Sequence, residues 1–254
     1  MIANKLKYGD EIRVVSPSRS LSDVRHDVHH RAVDFWQREG FKLTYSTHGA
    51  ELDKYHSSSI ASRVEDLHEA FLDPNVKMII TSLGGFNANQ ILRYLDYDLI
   101  SKNPKILCGY SDITALSNAI YAKTGLITYY GPHYSTFGFD RETEYTRQAF
   151  LKCIADESPF TVTPSKSAAM YHIVQEGNCE GTIIGGNLCT LNLLQGTPYM
   201  PDIRNKVLFL EDDNIMDEYF CYEFDRNLES LLQKEQTQSR VLCLDVFRKV
   251  GECL

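Results

Sequence analysis

The stretch Lys105-Ile-Leu-Cys-Gly-Tyr-Ser-Asp-Ile-Thr-Ala115 decides the fold. An apolar run ends at a glycine, a serine follows two residues later, and a helical pattern starts at once: a strand, a sharp turn and a helix. Such a turn exposes a serine hydroxyl and aims backbone N–H groups at developing negative charge, so Ser111 is a candidate nucleophile. Ile113 stands where the familiar G-x-S-x-G pattern has its second glycine. Local pattern alone also admits Ser111 or Asp112 as a simple helix N-cap.

The same alternation runs outward in both directions. Upstream, 11–18 reads as a strand running into a loop, 22–39 as a helix with Ser22 as N-cap and Gly40 as its stop, and 42–46 as a second strand. Ile60, Val64, Leu67 and Phe71 recur at helical spacing over 59–72, and 76–82 is a third strand. Residues 87–95 read as helical. Downstream come helix 112–123, strand 126–130 and helix 142–156. Strands spaced by helices of this length predict βαβ units and a mostly parallel sheet covered on both faces. The Pro- and Ser/Thr-rich tract at 158–167 breaks the pattern, which predicts an N-terminal lobe over 1–160, a linker over 161–176 and a smaller α/β lobe over 177–254. In that second lobe, strand 207–210 leads into Glu211-Asp212-Asp213, a helix covers 218–234, and an apolar run lies near Val241.

Two further segments fall at strand ends, where reactive groups of open parallel sheets collect. Gly84-Gly85, in Ser82-Leu-Gly-Gly-Phe-Asn-Ala-Asn-Gln90, lets backbone approach a ligand. It reads as a tight turn, a phosphate cradle or, beside Ser111, an oxyanion hole built from the Gly85 and Asp112 amides. Glu211 could orient a catalytic histidine, or it is a solvated acid or helix cap. The eight histidines (26, 29, 30, 48, 56, 68, 133 and 172) all precede it. His133 follows a strand end and reads as structural or substrate-facing, whereas His26, His29 and His30 fall on a surface helix.

Composition narrows the class. A formal net charge of -8 with no block of Lys and Arg argues against nucleic acid as partner. No signal-like leader or bilayer-length apolar run is present, which predicts a cytoplasmic protein with no membrane partner. The seven cysteines show no zinc-like spacing and read as reduced thiols, with Cys108 in the core.

In order along the chain, residues 9–18, Gly84-Gly85, Gly109-Tyr-Ser-Asp112, Tyr130-Gly-Pro132, Gly185-Gly-Asn-Leu188 and Leu210-Glu-Asp212 resemble the LD-carboxypeptidase family of serine peptidases. Residues 109–125 with Thr128-Tyr-Tyr-Gly-Pro-His133 look most like its MccF-like, microcin-immunity branch. The resemblance implies an N-terminal lobe similar to class I glutamine amidotransferase domains, a homodimer, and no metal or organic cofactor. It also implies a Ser-Glu-His triad with Ser111 as nucleophile and Glu211 as carboxylate, and Gly85 and Asp112 as oxyanion donors. Members hydrolyse either the amide joining a peptidyl or aminoacyl group to a nucleotide-like moiety, or the terminal D-alanine bond of murein tetrapeptides.

Two departures follow from the same resemblance. The 163–177 segment is short and lacks the tryptophan that MccF-like proteins stack on a base; Trp36 is far away, leaving Tyr171 or another aromatic for that role. The triad histidine is expected beyond residue 254, and the composition of 241–254 suggests a reading-frame shift near Arg240. The expectation is low or no activity for this polypeptide alone, a non-catalytic binding module, or a remnant exposing apolar surface around Leu208, Leu210 and Leu228.

Overall fold

In a computed structural model, residues 1–140, 143–162, 176–213, 220–234 and 241–247 are described. The N-terminal lobe is a five-stranded sheet in the order β2-β1-β3-β4-β5, parallel throughout. Its strands are β1 (Glu11–Val15), β2 (Lys42–Tyr45), β3 (Val76–Thr81), β4 (Ile106–Gly109) and β5 (Tyr129–Tyr130). Alternation along the strands divides the core in two. Ile12, Val14, Met78, Ile80, Ile106 and Cys108 face one cluster, which α1 (His26–Arg38) and α5 (Thr143–Ala155) cover. Val15, Ile79 and Leu107 face the other, under α2 (Ile60–Leu72) and α4 (Ile113–Thr124). The short α3 (Tyr97–Lys102) joins this second layer.

The helices and strands differ from the sequence reading at their ends, in α3, which it did not contain, and at Ala88–Tyr94, a 3-10 segment where it expected a helix. Ser22 does not cap the first helix: the Ser20 hydroxyl accepts the Ser22 N–H in a 3-10 turn, and α1 begins only at His26. Ser59 does cap α2, accepting the Ser62 N–H, and Gly40 ends α1 in the left-handed region at φ 78°. His26 and His30 are exposed, while His29 is half-buried with its Nδ1 3.1 Å from the Tyr134 hydroxyl. Trp36 is fully buried among Phe35, Phe41, Phe137 and Phe150, so it is core and available to no ligand.

The second sheet is also parallel, with β6 (Ile183–Asn187), β7 (Val207–Asp213) and β8 (Val241–Phe247) in sequence order. With α6 (Leu188–Asn192) and α7 (Phe220–Lys234) it packs on α4, so one apolar cluster spans both lobes. Leu208 and Leu210 are 1% and 0% exposed within that cluster and Leu228 packs against it, which overturns the expectation of exposed apolar surface there. The apolar run near Val241 is a strand paired residue for residue with β7. Tyr171 and most of the 163–177 segment lie outside the described residues.

Gly185 permits the close approach of β6 to β7, and Gly186 that of the second lobe to the first. Both have positive φ, 124° and 119°, which L side chains rarely adopt. A Cβ on Gly185 would lie 2.1 Å from the Phe209 carbonyl oxygen, and one on Gly186 would lie 2.7 Å from both Thr114 Oγ1 and Tyr130 Cε2. The seam is closed by Asn118 Nδ2 donating to the Gly185 carbonyl and by the Asn187 N–H donating to Thr114 Oγ1.

Candidate active site

The strand order of the first sheet reverses at β1, and the loops after β1, β3 and β4 converge at the carboxyl ends. Here Ser16 and Ser82 share a hydrogen bond of 2.9 Å, tying the β1 loop to the β3 loop. Ser111 follows β4 at φ 59°, one of three non-glycine residues with positive φ among those described. This strained backbone at a strand-to-helix turn is the geometry that projects a serine side chain outward. Gly109 permits the turn, because a Cβ there would lie 2.3 Å from Thr81 Oγ1 and 3.1 Å from the Ile113 side chain. Ile113 is thus packed into the turn and a second glycine is not needed.

Asp112 occupies the N-cap position of α4, yet its carboxylate makes no bond to that helix. It is buried, and its Oδ2 accepts the Ser18 hydroxyl at 2.5 Å and the N–H groups of Asn87 and Ala88 at 2.9 and 2.8 Å. The carboxylate therefore fixes the start of the 3-10 segment Ala88–Tyr94 that follows the Gly84-Gly85 turn. Ser18 also sets the glycine turn: a Cβ on Gly85 would lie 2.3 Å from Ser18 Oγ. One hydroxyl thereby fixes Gly85 against Asp112, and neither of their N–H groups has an acceptor among the described residues.

Glu211, buried in β7 opposite Asn187, reaches this turn through a residue whose role the sequence reading missed. The Tyr130 hydroxyl accepts the Ser111 N–H at 3.0 Å and donates to Glu211 Oε1. Burial first, then the adjacent Glu211 carboxylate, push the Tyr130 phenol above its ordinary pKa, so it stays a neutral donor. Tyr129-Tyr-Gly-Pro132 stood out as a motif, but only the parallel pairing of Gly109 with Tyr130 shows that the hydroxyl lies under Ser111.

His133 is close to Ser111 but bonded elsewhere. His133 Nδ1 shares a hydrogen bond of 2.7 Å with Thr81 Oγ1, which also lies 3.3 Å from the Cys108 carbonyl oxygen, and the buried Nε2 has no hydrogen-bond partner among the described residues. A Cβ on Gly84 would sit 3.2 Å from Ser111 Oγ and 3.3 Å from that Nε2, so Gly84 is the spacer between them. Burial lowers the His133 pKa from 6.5 to about 3, which keeps the ring neutral. The stabilisation it lends is complete above the unfolded value and falls as pH drops from 6.5 toward 3. The expected loss is about 2 kcal/mol by pH 5. Denaturant melts at pH 7.5 and 5 check this against His133→Asn, whose amide keeps a partner for Thr81; equal losses in both proteins would refute it.

The turn, the glycines and His133 line a cavity of about 530 Å³ that the second lobe closes with Asn187 and Asp212. Asn187 Nδ2 donates to Asp212 Oδ1 while its own Oδ1 accepts from Thr190, which fixes the amide. Both stand in motifs that carry the resemblance, though neither was read as a site residue; the packing of β6 and β7 over α4 brings them to Ser111. Among the described residues no cluster of three or more His, Cys, Asp or Glu could hold a metal ion. Among the same residues no helix is long and apolar enough to cross a membrane.

Residues 12–131 match the model of the LD-carboxypeptidase N-terminal domain, and residues 180–240 match that of the LD-carboxypeptidase C-terminal domain. The chain belongs to the LD-carboxypeptidase family. As a member of that family it is a hydrolase of the serine peptidase type. It is 51% identical over 249 residues to the putative carboxypeptidase YocD of Bacillus subtilis, covering 91% of this chain and 76% of the relative. Among solved structures, an MccF-like protein from Bacillus anthracis superposes with a TM-score of 0.91 at 49% identity, over 97% of this chain and 80% of the other. The microcin C7 self-immunity protein MccF, solved in complex with aspartyl sulfamoyl adenosine, superposes with a TM-score of 0.82 at 31% identity over the same shares. The α/β fold with a mostly parallel sheet read from the sequence is the fold of this family.

Proposed function

We propose that the Ser111 cavity hydrolyses the amide between a peptidyl or aminoacyl group and a nucleotide-like moiety through an acyl-enzyme. The observation that carries this reading is the buried link from the strained Ser111 turn through Tyr130 to Glu211. Ser111 Oγ attacks the acyl carbonyl, and the free N–H groups of Gly85 and Asp112 receive the oxyanion. The amine leaves, and water then releases the acyl group from Ser111. The ligand held by MccF, an aminoacyl group on a sulfamoyl nucleoside, supports the substrate class. A cytoplasmic homodimer belongs to the same reading and rests on the family resemblance.

The base in this scheme is a histidine oriented by Glu211. All eight histidines of the chain precede Glu211, and His133 is committed to Thr81. The 254-residue chain is therefore expected to hydrolyse slowly. Removing one triad member leaves only the contribution of the oxyanion hole and binding, about 10³–10⁴-fold over water. Parallel assays on aspartyl sulfamoyl adenosine and on a murein LD-tetrapeptide test the reading. Turnover of the nucleoside at ordinary enzyme rates would remove the need for a further histidine, and cleavage of the tetrapeptide alone would move the assignment to murein.

A further inference from the structure

Beside the Ser111 cavity lies a second hollow of about 390 Å³, bounded by Arg19, Tyr55, His56, Phe86, Asn87 and Gln90. Arg19 and Phe86 line both spaces, so the hollow continues the groove in which the substrate is placed. Its two aromatic side chains are left in solvent: Phe86 is 90% exposed and Tyr55 65%. Neither contributes to the core, and an apolar ring held in water at the rim of a cavity gains free energy when a ligand covers it.

Both rings are carried by fixed backbone. Phe86 sits between Gly85, pressed on Ser18, and Asn87, whose N–H is held by Asp112. Tyr55 sits in a turn where Asp53 Oδ1 accepts the N–H groups of Tyr55 and Ser57. The next residue, His56, is held at φ 58°, with its carbonyl accepting from Ser20 and its Nδ1 3.1 Å from Asp23. Backbone this constrained presents the rings with little ordering left to lose on binding. Arg19 shares Asp23 with His56, its Nη2 2.8 Å from Oδ2, and its side chain remains 44% exposed. The hollow thus combines aromatic faces with a cationic edge.

We propose that this hollow is a second subsite of the same groove, binding a planar aromatic group of the substrate against Phe86 and Tyr55, with an attached anion toward Arg19. Its role in the reaction rests on the Ser111 reading; its ability to bind does not. A nucleobase and an aromatic amino-acid side chain share this chemistry.

Titration calorimetry of the 254-residue protein with AMP and with N-acetyl-L-tryptophan, both planar and anionic, separates the two. At least one probe is expected to bind, with Phe86→Ala and Tyr55→Ala each weakening it about fivefold or more. Phe86→Tyr and Ser111→Ala are expected to leave the affinity unchanged. Preference for AMP assigns the subsite to a nucleobase, and preference for N-acetyltryptophan assigns it to a peptide side chain. No binding of either probe at millimolar concentration, or binding indifferent to both alanine variants, overturns the proposal. Binding lost in the aromatic variants, beside a longer form that supplies a histidine to Glu211 yet shows no Ser111-dependent hydrolysis, would leave the subsite standing and count against the Ser111 reading alone.

Discussion

Ser111→Ala is expected to lower hydrolysis of an aminoacyl sulfamoyl nucleoside by roughly a millionfold in any longer form of the protein that supplies a histidine to Glu211. In the 254-residue chain the same substitution is expected to leave the slow rate nearly unchanged. The contrast follows from how such groups act together. A serine hydroxyl is a poor nucleophile until a base removes its proton in the transition state, so without the base there is little serine-dependent rate left to lose. The proposed oxyanion donors are backbone amides of Gly85 and Asp112, and an alanine at 111 leaves them in place. Rates for the four proteins, two lengths with and without Ser111, make the check. A large loss in the 254-residue chain would mean that a base is already present, with His133, across Gly84 from Ser111, the imidazole to examine.

Asp112→Ala is expected to destabilise the protein by about 3–5 kcal/mol and to disorder the oxyanion turn. The carboxylate is buried and accepts from Ser18, Asn87 and Ala88. Removing it strands the two backbone donors and leaves the Ser18 hydroxyl only its 3.2 Å contact with Asn87 Oδ1. Asp112→Asn keeps the shape but presents an N–H₂ or a neutral oxygen to three donors, and an intermediate loss is expected. Urea unfolding gives the stabilities. Hydrogen exchange at Asn87 and Ala88, faster in Asp112→Ala than global unfolding allows, would report the local disorder. A variant as stable as the parent would show that the three bonds add nothing net. In the proposed mechanism the same residue offers its N–H to the oxyanion, so its side chain would serve fold and site together.

Much of this molecule was legible in its sequence. Strand and helix periods are local properties, so the succession of strands in the first lobe and the αβ layering followed from spacing, whereas the short α3 was not read and Ala88–Tyr94 is a 3-10 segment. Helix starts were less secure. Ser22 and Ser20 are equally good caps by type, and the choice depends on the 3-10 turn that Ser20 closes. The turn at Ser111 was visible because a glycine between a strand and a helix is a local signal. The Glu211 position came from family resemblance and strand-end placement, since nothing within a few residues of it distinguishes a positioned carboxylate from a solvated one.

By itself the sequence determined the parallel α/β architecture, the strained serine turn and the glycine turn beside it. Only the tertiary structure decided how these become a site. The Tyr130 hydroxyl joins residues 111 and 211, Asp112 caps a segment 25 positions earlier instead of its own helix, and Asn187 and Asp212 close the cavity from the second lobe. Each of these is a contact between residues far apart in the chain. The periods of 3.6 and 2 record which face a side chain occupies, and they carry no information about which distant face it will meet.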